Sequence, residues 1–143
     1  MAVCEIPIEI SDPEEIARII ISPYHIRDNK SSPKPAAFRS RAGTDDVSVV
    51  RSTHMGLDFC KSKGCEIVKN RNGQYAGLVT LHANAIRAVG SSVTDSREEF
   101  CGHAHISHGI ISRVDEPQES ATNLRITERC RELLKLATYH PNT

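Results

Sequence analysis

The C-terminal segment carries the feature that most constrains the fold, an apolar stripe at helical spacing. Its apolar residues are Ile126, Cys130, Leu133, Leu134 and Ala137. Steps of three and four residues place these side chains on one face of a helix, while the charged residues between them fall on the other face. The pattern predicts an amphipathic helix near the end of the chain, packed against a core that the rest of the sequence must supply.

Short apolar segments before this helix have the alternation and the β-branched content of strands. The predicted strands are residues 3–10, 46–51, 65–68, 75–81 and 102–111. Pro7 has no amide hydrogen, so the first of these strands is predicted at a sheet edge. The pair Asn72-Gly73 is typical of a tight hairpin turn and is predicted to join the third and fourth strands.

Further segments are predicted to be helical. The sequence Ser11-Asp12-Pro13-Glu14 suits the start of a helix whose buried stripe is Ile16, Ile19 and Ile20. The other two predicted helices are residues 56–63, ended by Gly64, and 82–89, ended by Gly90. Because strands and helices mix without a regular βαβ series, we expect one α+β domain over residues 1–143. Its sheet is predicted to be mixed or mostly antiparallel and packed with two to four helices.

Charge and cysteine content bound the function classes. The 18 basic and 18 acidic side chains cancel, so no overall field attracts nucleic acid or an anionic membrane. No apolar stretch reaches the roughly 20 residues that span a bilayer, and the first residues do not resemble a signal peptide. The five scattered cysteines predict reduced thiols. We therefore expect a cytoplasmic protein without a membrane partner; the oligomeric state is left open.

The densest cluster of reactive side chains lies in the segment 101–108. Alternation along a strand places His103 and His105 on one face together with Cys101, and His108 on the other. Two imidazoles on one face can act as acid and base or can bind a metal ion. Alternatively, these histidines line the solvated face of a strand without any such role.

A structural zinc site is one interpretation of this cluster, and it ranks last. Its candidate ligands are Cys60, Cys65, Cys101, His103 and His105. The chain has no Cys-x-x-Cys pair of the kind that zinc sites use. The sequence therefore assigns no residue as a metal ligand, and no motif indicates a bound cofactor.

The histidines also resemble parts of two enzyme families. Their alternation is similar to that of histidine-triad nucleotide hydrolases, although His108 departs from the pattern because it falls on the opposite face. The sequence His105-Ile106-Ser107 is similar to one motif of two-histidine phosphoesterases, but His25, His54 and His82 do not start the second His-x-Ser/Thr motif of that family. Both resemblances imply a phosphate-bearing substrate.

The loop 27–43 carries the marked basic patch of the sequence. Its charged residues are Arg27, Asp28, Lys30, Lys34, Arg39 and Arg41. Arginine binds phosphate through its planar fork. An Arg or His on an early segment, followed by Ser48 on the next strand, is similar to enzymes that bind NAD and transfer ADP-ribose. That resemblance implies a catalytic glutamate; the unplaced candidates are Glu98, Glu99, Glu116 and Glu119.

The two clusters together suggest a small bacterial enzyme acting on a phosphate-bearing substrate, either a nucleotide cofactor or RNA. Its candidate catalytic residues are His103, His25 and Ser48, with the serine orienting the substrate. Its candidate substrate-binding residues are Arg27, Arg39, Arg41 and His105. The hypothesis requires both clusters to converge on one pocket.

The alternative hypothesis is a non-catalytic binding module of a larger bacterial assembly, which contacts a protein partner through the loop 27–43. The small size and neutral charge suit this role. A group of small bacterial proteins resembles this chain in the order and spacing of four segments: residues 36–50, 77–90 and 102–106 and the final helix. That resemblance implies a shared fold and carries no activity.

Overall fold

A computed structural model of the protein describes residues 3–27 and 32–142. Its strands are β1 Glu15–Ser22, β2 Val47–Val50, β3 Gln74–His82, β4 Ser92–Asp95, β5 His103–Ser107 and β6 Thr138–Pro141. Its helices are α1 Ser52–Met55, α2 Leu57–Val68, α3 Ala83–Ala88 and α4 Ala121–Leu136, with a 3-10 helix at Pro35–Phe38. The strands form an antiparallel sheet in the order β4-β5-β2-β1-β3-β6. The predicted α+β fold with an amphipathic C-terminal helix is confirmed.

Both faces of the sheet are covered. On one face the larger core cluster packs β1 and β5 against the 3-10 helix and α4, with Phe38, Ile106 and Leu133 fully buried. On the other face a smaller cluster packs Ile19 and Leu78 against α2. The central strand β1 is therefore buried on both of its faces.

The prediction of a helix after Ser11 is wrong, because this segment forms β1. The spacing of Ile16, Ile19 and Ile20 fits a helix, but Ala17 and Ile21 are buried as well. Burial on both sides removes the alternation that marks a half-exposed strand. The β-branched isoleucines favour the extended backbone, and Ser11–Glu14 forms a turn instead of a helix start.

The strands predicted at residues 3–10 and 65–68 are also wrong. Residues 3–10 contain neither helix nor strand, and residues 65–68 form the last turn of α2. The helix continues through Gly64, where glycine is required because a side chain would collide with the ring of Tyr75. Because residues 65–68 are helical, β3 pairs with β1 and with β6 instead of with them. The strands β4 and β6 were not predicted.

A fully buried arginine ties the N-terminal segment to the sheet. Arg51 donates from Nε and Nη2 to both carboxylate oxygens of Glu14, at 2.6 and 2.8 Å, and from Nη1 to Asp95 at 2.7 Å. It also donates to the carbonyls of Pro7 and Glu9.

A second arginine adds to this anchor. Arg97 donates to Asp95 at 2.8 Å and to the carbonyls of Cys4 and Ile6. We call Glu14, Arg51, Asp95 and Arg97 the Arg51 cluster. Its two guanidinium groups and two carboxylates balance in charge.

The prediction of five reduced thiols is wrong. Cys4 and Cys101 form a disulfide, which joins the N-terminal segment to the turn before β5. Cys60, Cys65 and Cys130 are free. Because disulfides are rare in reducing compartments, the cysteines no longer support a cytoplasmic location. None of the helices in residues 3–27 and 32–142 has the length and apolar character needed to cross a bilayer.

Candidate functional site

A cavity of about 470 Å³ lies where β1 and β2 separate. The two strands are in register at one position, Ala17 opposite Val50, whereas β1 pairs with β3 along its whole length. Beyond Ala17, the side chain of Arg18 occupies the gap. Its Nε donates to the carbonyl of Ala37 at 2.7 Å, and its Nη1 donates to the carbonyl of Ser48 at 3.0 Å. An arginine side chain thus takes a β2 carbonyl that a neighbouring strand would normally bind.

The lining of the cavity is rich in positive charge. Its charged residues are Arg18, Arg39, Arg41, Arg71, Asp46 and Glu99. Within the described parts of the chain, none of these four arginines forms a salt bridge with a carboxylate. Burial and the nearby charge of Arg71 lower the pKa of Arg18 to about 10, so Arg18 stays charged at neutral pH. The cavity therefore attracts anions.

His25 enters the cavity from the turn after β1. Its Nδ1 accepts a hydrogen bond from the backbone N–H of Ile21 at 3.1 Å. Burial lowers the pKa of His25 to about 3, and the charges of Arg18, Arg71 and Lys34 act in the same direction. The ring is therefore neutral at pH 7, with its hydrogen on Nε2.

His103, the first residue of β5, is 6% exposed and also lines the cavity. Its ring packs against those of Phe100 and His105, at centroid distances of 4.9 and 4.8 Å. Its Nδ1 is the only fully buried side-chain nitrogen or oxygen in residues 3–27 and 32–142 that has no hydrogen-bond partner. Burial lowers the pKa of His103, and His105 lowers it further. Leaving such an atom unpaired is costly, which makes His103 an unusual residue of the cavity wall.

The backbone before His103 shows how the local sequence produces this placement. Gly102 has a φ of 97°, a conformation that favours glycine, and a side chain there would collide with Met55. Its carbonyl accepts from the N–H of Arg51 at 2.7 Å. Cys101 is held by the disulfide. A disulfide, a glycine turn and a backbone hydrogen bond therefore position His103 at the start of its strand.

Five of the seven predicted site residues line this cavity. They are His25, Arg39, Arg41, Ser48 and His103. Arg39 lines it while its guanidinium donates to Asn123 and Thr127 of α4, at 2.7 and 2.9 Å. Residues of the basic loop 27–43 and of the histidine segment 101–108 thus line one cavity, as the enzyme hypothesis requires. A catalytic role for these residues stays a prediction.

Two predicted site residues lie outside the cavity lining. Arg27 is exposed and does not line it. His105 touches the ring of His103 and lies opposite Ser48 in the β2–β5 register, without lining the cavity. Residues 28–31 of the loop 27–43 are outside the described residues.

Four charged lining residues were not among the assigned site residues: Arg18, Asp46, Arg71 and Glu99. Arg18 is the one charged residue in the buried run 16–21, and that interruption is the signal that sequence reasoning could have used. Glu99 was named, but without a position. Arg71 lies in the turn between α2 and β3, where the sequence has no signal that separates it from other surface arginines.

A hydrogen-bonded histidine–serine pair is buried outside the cavity. His108 Nε2 lies 2.7 Å from the carbonyl of Phe38, which only accepts, so Nδ1 accepts from the Ser91 hydroxyl at 2.8 Å. Burial lowers the pKa of His108, and both residues are at most 5% exposed. Because neither residue lines the cavity, this pair joins β5 to its neighbouring loops.

The zinc interpretation is not supported by the arrangement of its ligands. Cys101 is bonded to Cys4, so its thiol is not free to bind a metal ion or to act as a nucleophile. Across the part of the chain that the structure describes, no group of three or more His, Cys, Asp or Glu side chains is arranged to hold a metal ion.

Comparisons with protein-family models, with curated proteins and with solved structures found no match.

Proposed function

We propose that this protein is an enzyme that acts on a phosphate-bearing substrate in the β1–β2 cavity, with His103 as its acid–base group. One observation carries the proposal. In a single cavity, arginines without carboxylate partners among the described residues meet the imidazole ring of His103, whose buried Nδ1 has no hydrogen-bond partner in the same part of the chain. A phosphate ester satisfies both, because its oxygens accept from guanidinium groups and its reacting atoms exchange protons with an imidazole.

The size of the cavity supports a small substrate. Pockets that bind small molecules usually have volumes of about 300–1,000 Å³. At about 470 Å³ the cavity is suited to a nucleotide. Of the two substrate classes that the sequence suggested, a nucleotide cofactor is therefore favoured over a strand of RNA.

The environment of His103 supports a role in proton transfer. A neutral imidazole at pH 7 can accept a proton at the ring nitrogen that carries no hydrogen, and burial keeps this ring neutral. Glu99 lines the same cavity and favours the protonated ring. The Ser48 hydroxyl, on the neighbouring strand, is available to orient the substrate. These groups suit hydrolysis or group transfer assisted by a general base.

The experiment is to incubate the protein with AMP, ATP, NAD and a short single-stranded RNA and to follow products by phosphorus NMR. The variants are His103→Gln and His103→Ala, and the matched control is His82→Ala, which removes an exposed histidine outside the cavity. We expect turnover of at least one small phosphate compound, a loss of about 100-fold or more in both His103 variants, and no loss in the control.

Two results would contradict the proposal. One is the absence of turnover and of binding for every compound in the panel. The other is equal activity in the wild type and in folded His103 variants. The first result favours the non-catalytic module, whose contact segment is the loop 27–43, and the second removes His103 from the reaction. Against that alternative, the 3-10 helix within this loop buries Phe38 completely and thereby anchors it.

A further inference from the structure

The orientation of the His25 ring is set by the backbone around it. The N–H of Ile21 donates to Nδ1 at 3.1 Å, and the N–H of His25 donates to the carbonyl of Ile21 at 2.9 Å. A nitrogen that accepts a backbone hydrogen bond carries no hydrogen of its own, so the hydrogen of the neutral ring is on Nε2. Among the described residues, no group accepts a hydrogen bond from Nε2.

Two arginines lie close enough to His25 to act on its charge. Arg18 is fixed at Nε and Nη1 by two backbone carbonyls, which leaves the N–H groups of Nη2 without an acceptor in residues 3–27 and 32–142. Arg71 lies beside the ring of Tyr24, with its guanidinium carbon 5.9 Å from the ring centre. Lys34 is the other cation near His25, and its Nζ contacts the carbonyl of Pro23.

Three potential hydrogen-bond donors to an anion, Arg18, His25 and Arg71, come from separate elements of the chain. Arg18 belongs to β1, His25 to the turn after β1, and Arg71 to the turn before β3. All three line the same cavity. A tetrahedral oxyanion can bind donors from several directions at once, and its charge offsets the repulsion between the two arginines.

We infer that Arg18, Arg71 and Nε2 of His25 form the phosphate subsite of the cavity, in which His25 is a fixed neutral donor and not an acid–base group. This inference rests on the proposed function, because it states which residues hold the phosphate while His103 handles protons. It replaces Arg27 as a phosphate ligand and changes the role that the sequence suggested for His25. The ligand class is a phosphate monoester or diphosphate of nucleotide size.

The test uses the full chain with labelled histidine nitrogens. Inorganic phosphate and AMP are titrated while long-range proton–nitrogen spectra report the tautomer of His25 and the state of His103. Sulfate is titrated as well, because it does not change its charge between pH 5 and 8. Arg71→Ala is the test variant, and Arg27→Ala is the matched control with the same loss of charge outside the cavity.

We expect a His25 ring with its hydrogen on Nε2, whose signal shifts when phosphate or sulfate binds. Loss of a charged donor should weaken phosphate binding by about 10-fold or more in Arg71→Ala and leave it unchanged in Arg27→Ala. A hydrogen on Nδ1 of His25 would overturn the inference. So would an unchanged phosphate affinity in Arg71→Ala.

The two proposals fail in different ways. If AMP shifts His103 but Arg71→Ala binds it as the wild type does, the subsite is wrong and the proposed function stands. If inorganic phosphate binds at His25 while AMP and the other esters leave His103 unshifted, the anion subsite stands and the proposed function is wrong.

Discussion

Arg51 and Arg18 both place a guanidinium in the interior of this protein, but their surroundings are opposite. Two carboxylates and two carbonyls surround Arg51, and the hydrogen bonds that it donates to Glu14 raise its pKa. Arg18 has two carbonyls and no carboxylate, and burial beside Arg71 lowers its pKa to about 10.

The comparison separates structure from function. In the Arg51 cluster every charge has its partner within the chain, so nothing is left for a ligand. In the cavity, positive charge and a buried imidazole nitrogen are left without partners among the described residues. A fold tolerates such a site only at a cost in stability, and a bound anion offsets that cost.

The largest effect is expected when the same substitution is made at both arginines. Arg51→Met leaves Glu14 buried without its arginine partner and leaves Asp95 with Arg97 alone, which should lower the free energy of unfolding by about 3–5 kcal/mol. Arg18→Met removes two hydrogen bonds to carbonyls, and it also removes a cation from a cationic site. Arg18→Met should therefore lower the free energy of unfolding by less than about 2 kcal/mol, as measured by urea denaturation. Equal losses at the two positions would contradict the distinction between the clusters.

The disulfide is expected to have the next largest effect. Cys4→Ser opens a link between residues 97 positions apart. Constraint of so long a loop in the unfolded chain is worth up to about 5 kcal/mol, and Arg51 and Arg97 still hold the N-terminal segment. We expect a loss of about 2–4 kcal/mol, and none for the exposed free thiol in Cys65→Ser. If a reductant left the wild-type urea midpoint unchanged, this anchor would have no role in stability.

Acid should reveal a further difference between the clusters. The pKa of His25 is about 3 in the folded chain and near 6.5 in the unfolded chain, so the unfolded state binds more protons between these values. Its contribution to stability is complete above pH 6.5 and is lost as the pH falls toward 3. Hydrogen bonds from the arginines keep the pKa of Asp95 low, so the contribution of Asp95 to stability is lost only as the pH falls below about 4.

The measurement is the urea midpoint between pH 7 and pH 4 for the wild type and for His25→Asn. The wild type should lose stability over this range, since burial also lowers the pKa values of His103 and His108. The variant should lose less, because one of the three groups no longer takes up a proton on unfolding. An unchanged slope in His25→Asn would show that His25 is not held neutral.

The elements that could be predicted from the sequence are those whose patterns are local. α4 shows one apolar face, and β2 and β5 are short apolar segments next to turn residues. β1 could not be predicted in this way, because coverage of both faces makes a strand as apolar as a helix. β4 and β6 are only four residues long, which is too short for a pattern.

The site divides along the same line. His103 and Ser48 were found because their residue types and strand periodicity carry information. Arg18 was missed because its segment was interpreted as a helix. The pairing of Cys4 with Cys101 depends on the tertiary fold, and no spacing in the sequence indicates it.

The smallest effect on stability is expected for Arg71→Ala, and it isolates the repulsion within the cavity. Arg71 is exposed and forms no salt bridge with any of the described carboxylates. The free energy of unfolding should therefore stay within about 0.5 kcal/mol of the wild type. Because its charge contributes to the low pKa values of His25 and Arg18, removing it should raise both.

Histidine proton shifts followed against pH provide the measurement, with Arg27→Ala as the control for a general loss of one positive charge. A rise in the His25 pKa in Arg71→Ala but not in Arg27→Ala would show that Arg71 and His25 belong to one electrostatic site. An equal rise in both variants would mean that His25 senses only the net charge of the protein. In that case the cavity would attract an anion no more strongly than the rest of the surface does. A rise confined to Arg71→Ala instead assigns the uncompensated positive charge to the cavity, where a phosphate would bind.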